Sequence, residues 1–246
     1  MPKEKLKNNN TINIGLYWDQ LWRQMQVSNE SALWDVLPSE AISKDYSIFQ
    51  SAFNSILPIL DLGCGSGIQT GFLGSLYSTV IGIDASKKAI ALAQKQNDNS
   101  LLIFVQLNVL DKEAVTSFKK KTGDANIYLR GVLHQIPTEH RPAFIDHIKI
   151  LMGEAGTLYL IETAPNIQVY IQDLASRFSQ LPLPLKRVLT SHFPPLGISL
   201  SEIQKWFKVA DYKILESGYS TLQTNMVLEK DHKVELPAVY ALIKHL

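Results

Sequence analysis

The sequence predicts an α/β fold built on a doubly wound, mostly parallel sheet with helices on both faces. Three observations predict it. Five short apolar runs recur between Ile56 and Ile161, with longer helical patterns between them, the rhythm of right-handed strand–helix–strand units. The first run ends in three glycines at alternate positions, Gly63, Gly65 and Gly67, directly before a helical stretch. The second run ends in an acid, Asp84.

The elements follow in order. Residues 1–14 are polar and Asn-rich and are expected to fray. Within residues 16–37, Leu16, Trp18, Leu21, Trp22 and Met25 fall on one helical face, and residues 45–55 carry a weaker pattern through Ile48, Phe49, Ala52 and Phe53. Residues 56–62 read as a buried strand stopped by Gly63, and residues 68–76 as a helix. Residues 79–83 are a second strand, after which Ser86 caps a helix through Gln96. Residues 101–105 give a third strand, 112–121 a helix and 126–129 a fourth strand. Thr138 caps a helix with Phe144, Ile145 and Ile148 on one face, and residues 157–161 are the fifth strand.

After that strand the alternation breaks. Residues 164–200 hold a helical stripe (Ile167, Tyr170, Ile171, Leu174, Phe178) and then two proline punctuations, at Pro182 and Pro184 and at Pro194 and Pro195. Prolines this close argue for an irregular insert. Ser199 to Glu202 is a capping box opening a helix through Ala210. Residues 212–216 and 237–243 are two strand candidates that can pair antiparallel through a turn near Lys230 to His232.

Composition narrows the function classes. Of 246 residues, 24 are Lys or Arg and 23 Asp or Glu, a net charge of +1. A protein that grips a nucleic-acid backbone shows a basic excess, and this chain has none overall. The one cysteine excludes an intramolecular disulfide and a cysteine-based zinc cluster, and it fits a reducing compartment. No secretory h-region follows Met1, and no run of about 18 apolar residues exists, so a cytoplasmic protein with no membrane span is expected. His140, His147, His192, His232 and His245 show no ligand spacing, so no metal site is expected. The Gly-x-Ser-x-Gly elbow of hydrolases is missing.

The segment Ile59-Leu60-Asp61-Leu62-Gly63-Cys64-Gly65-Ser66-Gly67 carries the chemistry. Glycine takes positive φ and has no Cβ, so a ligand can lie against this turn, and the free N–H groups of the following helix favour electron-rich atoms. In a doubly wound sheet the carboxyl ends of neighbouring strands face one crevice, so Asp84 can offer its carboxylate to both hydroxyls of a ribose there. The pattern is not the dinucleotide fingerprint, because Ile68 stands where its third glycine belongs, and no Gly-Lys-Ser/Thr of a phosphate loop follows.

The motif D-x-G-x-G-x-G followed by Asp84 resembles the class I S-adenosylmethionine (SAM)-dependent methyltransferases, in the group with small-molecule methyltransferase domains. The similarity spans residues 56–162. It implies a Rossmann-like seven-stranded sheet with an antiparallel C-terminal strand, SAM as cofactor and S-adenosylhomocysteine (SAH) as product. Carried onto this chain, the turn with Asp61, Gly63, Cys64, Gly65 and Gly67 meets the methionine moiety. Asp84 and the adjoining Ala85 meet the ribose, and Asn108 and Val109 the adenine. The family commonly has Asp at the Asn108 position; an amide oxygen can still accept from the adenine amino group. Tyr128 to Pro137 resembles the family's "VLHH" segment with Gln135 replacing the second His, which brings backbone groups of Leu129 and Arg130 to the methionine end. Residues 1–55 resemble a helical lid closing through Tyr17 or Trp18, ahead of a catalytic domain at 56–246; the alternative is that these aromatics are core.

Methyl transfer is an in-line displacement, so positioning dominates, at up to ~7–11 kcal/mol. A general base for a hydroxyl or protonated amine adds roughly 10²–10⁴-fold. His134 and Glu162 both follow central strands and are the candidates; the alternatives are a structural helix-start histidine and a solvated strand end. Arg130 can bind a substrate carboxylate or pair with Glu162 or Asp61. The apolar insert at 164–200 reads as a cap over a partly hydrophobic or aromatic acceptor, or as a helix extending the core. The expected activity is methylation of a small molecule, with a hydroxyl favoured, by a monomer or homodimer without nucleic acid. The competitors are a protein or nucleic-acid methyltransferase and a non-catalytic SAM- or SAH-binding protein.

Overall fold

The computed structural model describes residues 14–28, 31–97, 102–177, 196–228 and 232–246. Its elements are α1 (Ile14–Val27), α2 (Ile42–Phe49), β1 (Ile59–Leu62), α3 (Ile68–Leu76), β2 (Val80–Asp84), α4 (Lys87–Gln96), β3 (Leu102–Gln106), α5 (Lys112–Thr122), β4 (Asn126–Arg130), α6 (Arg141–Met152), β5 (Thr157–Thr163), α7 (Ile167–Arg177), α8 (Leu200–Trp206), β6 (Tyr212–Leu228) and β7 (His232–His245). The strands form one sheet in the order β3-β2-β1-β4-β5-β7-β6. The first five are parallel, β7 runs antiparallel to β5, and β6 antiparallel to β7.

Both faces of the central strands are covered, which is why they read as unbroken apolar runs. On one face Leu60, Leu62, Ile127, Leu129 and Leu160 pack with Val115, Ile145 and Ile148 of α5 and α6. On the other, Ile59, Tyr128, Tyr159 and Ile161 pack with Phe49 of α2, Leu73 of α3 and Ile171 and Leu174 of α7. Truncating a fully buried member such as Ile127 to Ala costs about 2–5 kcal/mol. With β1 pairing β2 on one side and β4 on the other, the connections leave in opposite directions and open a crevice at the carboxyl ends, where such folds bind ligands.

Local chemistry moves several boundaries from those the sequence suggested. The first strand begins at Ile59, because Ile56 is 86 % exposed and only the residues after Pro58 join the sheet. The helix expected from Thr138 begins instead at Arg141 after a tight 3-10 turn, with Pro142 in its first turn where no N–H is needed. Ser86 caps α4 by accepting from Ala89 N. The capping box holds: Ser199 Oγ accepts from Glu202 N at 3.2 Å and Glu202 Oε2 from Ser199 N at 2.9 Å. The helix it opens stops at Trp206, short of Ala210. The N-terminal helix ends at Val27, and residues 31–37 form turns.

The C-terminal strands are far longer than the two short apolar segments that signalled them. β6 is the sheet edge, so the polar stretch Glu216 to Thr221 faces water and hides the strand from apolar periodicity. An irregularity between Gln223 and Val227 turns Asn225 onto the N-terminal segment, where its N–H donates to Leu33 O at 3.0 Å and its Nδ2 to Ala32 O at 2.7 Å. Residues 229–231 of the expected connection lie outside the described residues. The same is true of Phe178, Leu181, Leu183, Leu185 and Phe193 of the insert. The insert's first part, α7, packs Ile167, Ile171 and Leu174 into the core.

Candidate active site

The turn after β1 holds Gly63, Gly65 and Gly67 at φ 75, 54 and 80°, where side chains are strained. Space demands glycine as well: a Cβ at Gly63 would stand 2.3 Å from Val132 Cγ2, and one at Gly65 3.1 Å from the Trp22 ring. Above this turn lies a cavity partly open to solvent. Its floor is Leu62, Gly63 and Gly65, and one end is Asp84, Ala85 and residues 107–110. The wall after β4 contributes Arg130, Gly131, Val132, Gln135 and Ile136.

Asp84 ties the site together. Its Oδ2 accepts from Gly65 N at 3.1 Å and its Oδ1 from Ser86 N at 2.8 Å. Each oxygen keeps a further lone pair. Burial, reinforced by Asp19, pushes this carboxyl up to about 6 against those backbone donors. Asn108 also lines the cavity, with its Oδ1 accepting from Leu110 N at 3.0 Å in a local turn. The carbonyl of Val109 is held by His147 Nδ1 at 2.6 Å.

The roof is aromatic. Ile14, Trp18 and Trp22 of α1 and Trp34 line the cavity, with Trp34 edge-on to Trp18 at 5.7 Å and to Trp22 at 6.0 Å. Two carboxylates pin this roof beside the site. Asp19 Oδ1 accepts from Ser86 Oγ at 2.5 Å and Lys88 N at 3.0 Å, and Asp35 Oδ1 accepts from Ser66 Oγ at 2.7 Å. Tyr17 does not line the cavity; its ring stands edge-on to Trp18 at 5.5 Å. Sequence reasoning does not single out Trp22, Trp34 and Asp35 as site residues, although three of the four tryptophans fall between residues 18 and 34.

A smaller cleft adjoins it, sharing Gly63, Trp34 and Arg130 and adding Asp61, Cys64 and Gln69. Asp61 is buried, accepts from Thr70 Oγ1 at 2.6 Å, and is pushed up to about 6 by that burial. Burial also raises the Cys64 thiol well above its ordinary value, which keeps it protonated and unreactive. Arg130 makes its ion pair with Asp45, Nε to Oδ2 4.0 Å, and not with Glu162 or Asp61. Gly67 serves as the N-cap of α3, and the Leu129 side chain alternates into the core, so neither lines the two cavities.

Glu162 is not the solvated strand end that stood as the alternative reading. It is fully buried, and Oε1 accepts from Val132 N at 3.0 Å and Leu133 N at 2.7 Å. Its Oε2 accepts from His134 N at 3.2 Å and meets His134 Nδ1 at 2.7 Å. A carboxylate partner assigns the proton to Nδ1 and leaves Nε2 as the acceptor. Neither residue lines the main cavity, though His134 keeps 9 % exposure. Arg141, another residue the sequence does not mark, lies buried beneath the loop and donates to Ile136 O at 3.0 Å and Leu196 O at 3.1 Å. Among the described residues no cluster of three or more His, Cys, Asp or Glu can hold a metal, and no helix is long and apolar enough to cross a membrane.

These features fit an adenosyl sulfonium with an amino-acid tail: a floor bare of Cβ atoms, an acid with open lone pairs at one end, and a polar cleft at the other. Similarity to known proteins agrees. Residues 59–156 match the methyltransferase domain family. A ubiquinone biosynthesis O-methyltransferase of Glaesserella parasuis serovar 5 (strain SH0165) is 26 % identical over 181 residues, 70 % of this chain and 73 % of that one. The N-methyltransferase NodS of Bradyrhizobium japonicum WM9, solved with SAH, shares the fold at 13 % identity and a TM-score of 0.60, over 93 % of this chain and 98 % of that one. A solved SAM-dependent methyltransferase of Anabaena variabilis ATCC 29413 is 32 % identical and covers 100 % of both chains at a TM-score of 0.90. Matched end to end by that relative, the chain belongs to the SAM-dependent methyltransferases, enzymes with SAM as cofactor.

Proposed function

We propose that the enzyme methylates a hydroxyl of a small, partly apolar molecule. The observation that carries this reading is the buried His134–Glu162 pair at 2.7 Å. A hydroxyl becomes a good nucleophile only as its proton leaves, and a histidine held in one tautomer by a buried carboxylate is suited to take it. The similarity to an O-methyltransferase points the same way.

In this reading Asp84 receives the ribose hydroxyls, Ala85, Asn108 and Val109 the adenine, and the bare backbone from Gly63 to Gly67 the methionyl chain. Bound there, the cofactor supplies a methyl group already activated on a sulfonium. His134 stands between the cavity-lining residues Val132 and Gln135, and its Nε2 would take the proton of an acceptor hydroxyl, while the bound cofactor would supply the methyl group. Glu162 stabilises the imidazolium and holds the loop from Val132 to His134 in place. The segment 1–55, with its tryptophan roof, acts as the lid that excludes water, and residues 164–200 as the acceptor cap. The apolar lining by Ile14, Trp18, Val132, Ile136 and Phe144 supports an acceptor with an aromatic or aliphatic body.

The test is a panel of phenols, alcohols, amines, peptides and RNA incubated with SAM, with SAH release as the readout. Release with hydroxyl compounds, abolished by O-substitution of the acceptor, is expected. Release with amines, peptides or RNA alone would refute the reading.

A further inference from the structure

Arg141 is a buried cation, 3 % exposed, on a helix whose buried positions are otherwise apolar apart from His147. A buried guanidinium is costly unless it is closely paired, and an apolar side chain of similar volume is often at least as stable in its place. The pairing here is poor. Glu202 stands 4.0 Å away and partly exposed, and Glu162 has both oxygens occupied by the loop from Val132 and by the His134 ring. Burial lowers the pKa of Arg141, with Glu202 and Glu162 acting against that shift. Stability alone gives no reason for a cation at this position.

The atoms it bonds do give one. Nε donates to Ile136 O at 3.0 Å, and Nη2 donates to Leu196 O at 3.1 Å and, at longer reach, to His134 O at 3.4 Å. Two of these carbonyls come from the 3-10 turn Leu133–Gln135 and the residue after it, a turn too short to supply N–H partners for its last oxygens. Val132, Gln135 and Ile136 of this loop line the main cavity, and His134 Cε1 lies 3.7 Å from where a Cβ on Gly131 would stand. The third carbonyl, Leu196, belongs to the stem on which the chain returns from the 164–200 insert. That stem is pressed against the end of β5: Ile198 N donates to Thr163 O at 2.7 Å, and a Cβ on Gly197 would stand 2.0 Å from Ala164 O. One side chain therefore ties together the loop that bears His134 and the foot of the insert.

We propose that Arg141 is a positioning residue for methyl transfer, its guanidinium fixing the loop that carries His134 against the returning stem of the insert. The proposal rests on the reading of His134 as the base. Arg141 lines neither cavity, so its loss spares cofactor binding and costs the alignment of acceptor and base. Three carbonyls spread around one planar fork suit a guanidinium and not an ammonium, so lysine can replace it only in part.

The experiment compares the wild type, Arg141→Met, which keeps the volume without the donors, and Arg141→Lys, which keeps the charge without the fork. The imidazole N–H protons are read by NMR on protein labelled with ¹⁵N-histidine, and assigned by their loss in His134→Asn and His147→Asn. The His147 ring donates to Val109 O at 2.6 Å and shares no partner with Arg141, so its signal reports the integrity of the fold. Arg141→Met should lose the His134 Nδ1–H signal to exchange and keep that of His147. It should bind SAH at full stoichiometry within about twofold of wild type, while kcat with a hydroxyl compound that releases SAH in the panel above falls by about tenfold to a hundredfold. Arg141→Lys should recover part of both the signal and kcat. An unaltered His134 signal or an unaltered kcat in Arg141→Met would overturn the proposal, as would absence of that signal from the wild type. Joint loss of the His134 and His147 signals in both variants would also overturn it, marking a residue that only props the fold. Wild-type turnover in His134→Asn, or a panel without a hydroxyl acceptor, would remove the base reading instead and leave the imidazole spectra to decide whether Arg141 sets the loop.

Discussion

Two stretches of the sheet's carboxyl edge, where the parallel strands end, treat carboxylates in opposite ways. At the ends of β4 and β5, Glu162 is fully buried and collects three backbone N–H groups and an imidazole. At the ends of β1 and β2, Asp61 has one hydroxyl donor, Asp84 has two backbone donors, and burial raises both to about 6. The saturated acid builds the loop; the under-satisfied acids are left for a ligand to complete. A binding edge therefore carries a destabilising charge that a scaffold edge does not, and that difference can be measured.

The largest effect is expected from Glu162→Ala. It strands the buried N–H groups of Val132, Leu133 and His134, each costing about 1–3 kcal/mol, so chemical denaturation should show a loss of about 3 kcal/mol or more. A loss below about 1 kcal/mol would mean the loop does not depend on that carboxylate. His134→Ala comes next: turnover should fall by roughly 10²–10⁴-fold while SAH affinity by calorimetry stays near wild type. Equal losses in both would make His134 a structural residue only.

Asp84→Asn should lower SAH affinity by about tenfold or more, through loss of charge-assisted bonds to the ribose, and yet leave the ligand-free protein as stable or more stable at neutral pH. The sign follows from the raised pKa. A buried acid that holds its proton more tightly folded than unfolded contributes stability below the unfolded value of 3.8 and loses it as pH rises to about 6. The ligand-free wild type should therefore lose stability across that window by more than Asp61→Asn or Asp84→Asn does. SAH affinity should run the other way, falling as pH drops through about 6 and Asp84 gains its proton. A flat stability profile shared by all three proteins would contradict the contrast between the edges. The smallest effect is optical: with Trp18, Trp22 and Trp34 on the roof, SAH should change tryptophan emission, and Trp34→Phe should reduce the change.

Much of the binding edge is legible in the sequence, because backbone geometry writes itself into residue type. Alternate glycines and a strand-end acid are hard requirements of a side-chain-free floor and a ribose partner, and they stand close together in the chain. Four of the five parallel strands are equally plain, since burial on both faces leaves an apolar run, whereas β3 lies at the sheet edge opposite β6 and is apolar but partly exposed. The scaffold edge is less legible. That Glu162 caps a loop some thirty residues earlier depends on β4 and β5 lying side by side, and a single Glu carries no mark of it. Arg141 and His147, which hold carbonyls of two site loops, read as ordinary helix residues. Trp34 and Asp35 are hidden for another reason: their turn is held by Asn225, far along the chain, and the long edge strand that presents Asn225 looks like a polar loop.

A crystal structure of the complex with SAH measures the binding edge most directly. Density is expected for the ribose within hydrogen-bond distance of Asp84 and for the thioether chain against Gly63 and Gly65, beneath Trp18 and Trp34. Density for the nucleoside outside that cavity, or ribose hydroxyls facing a residue other than Asp84, would contradict the cofactor placement.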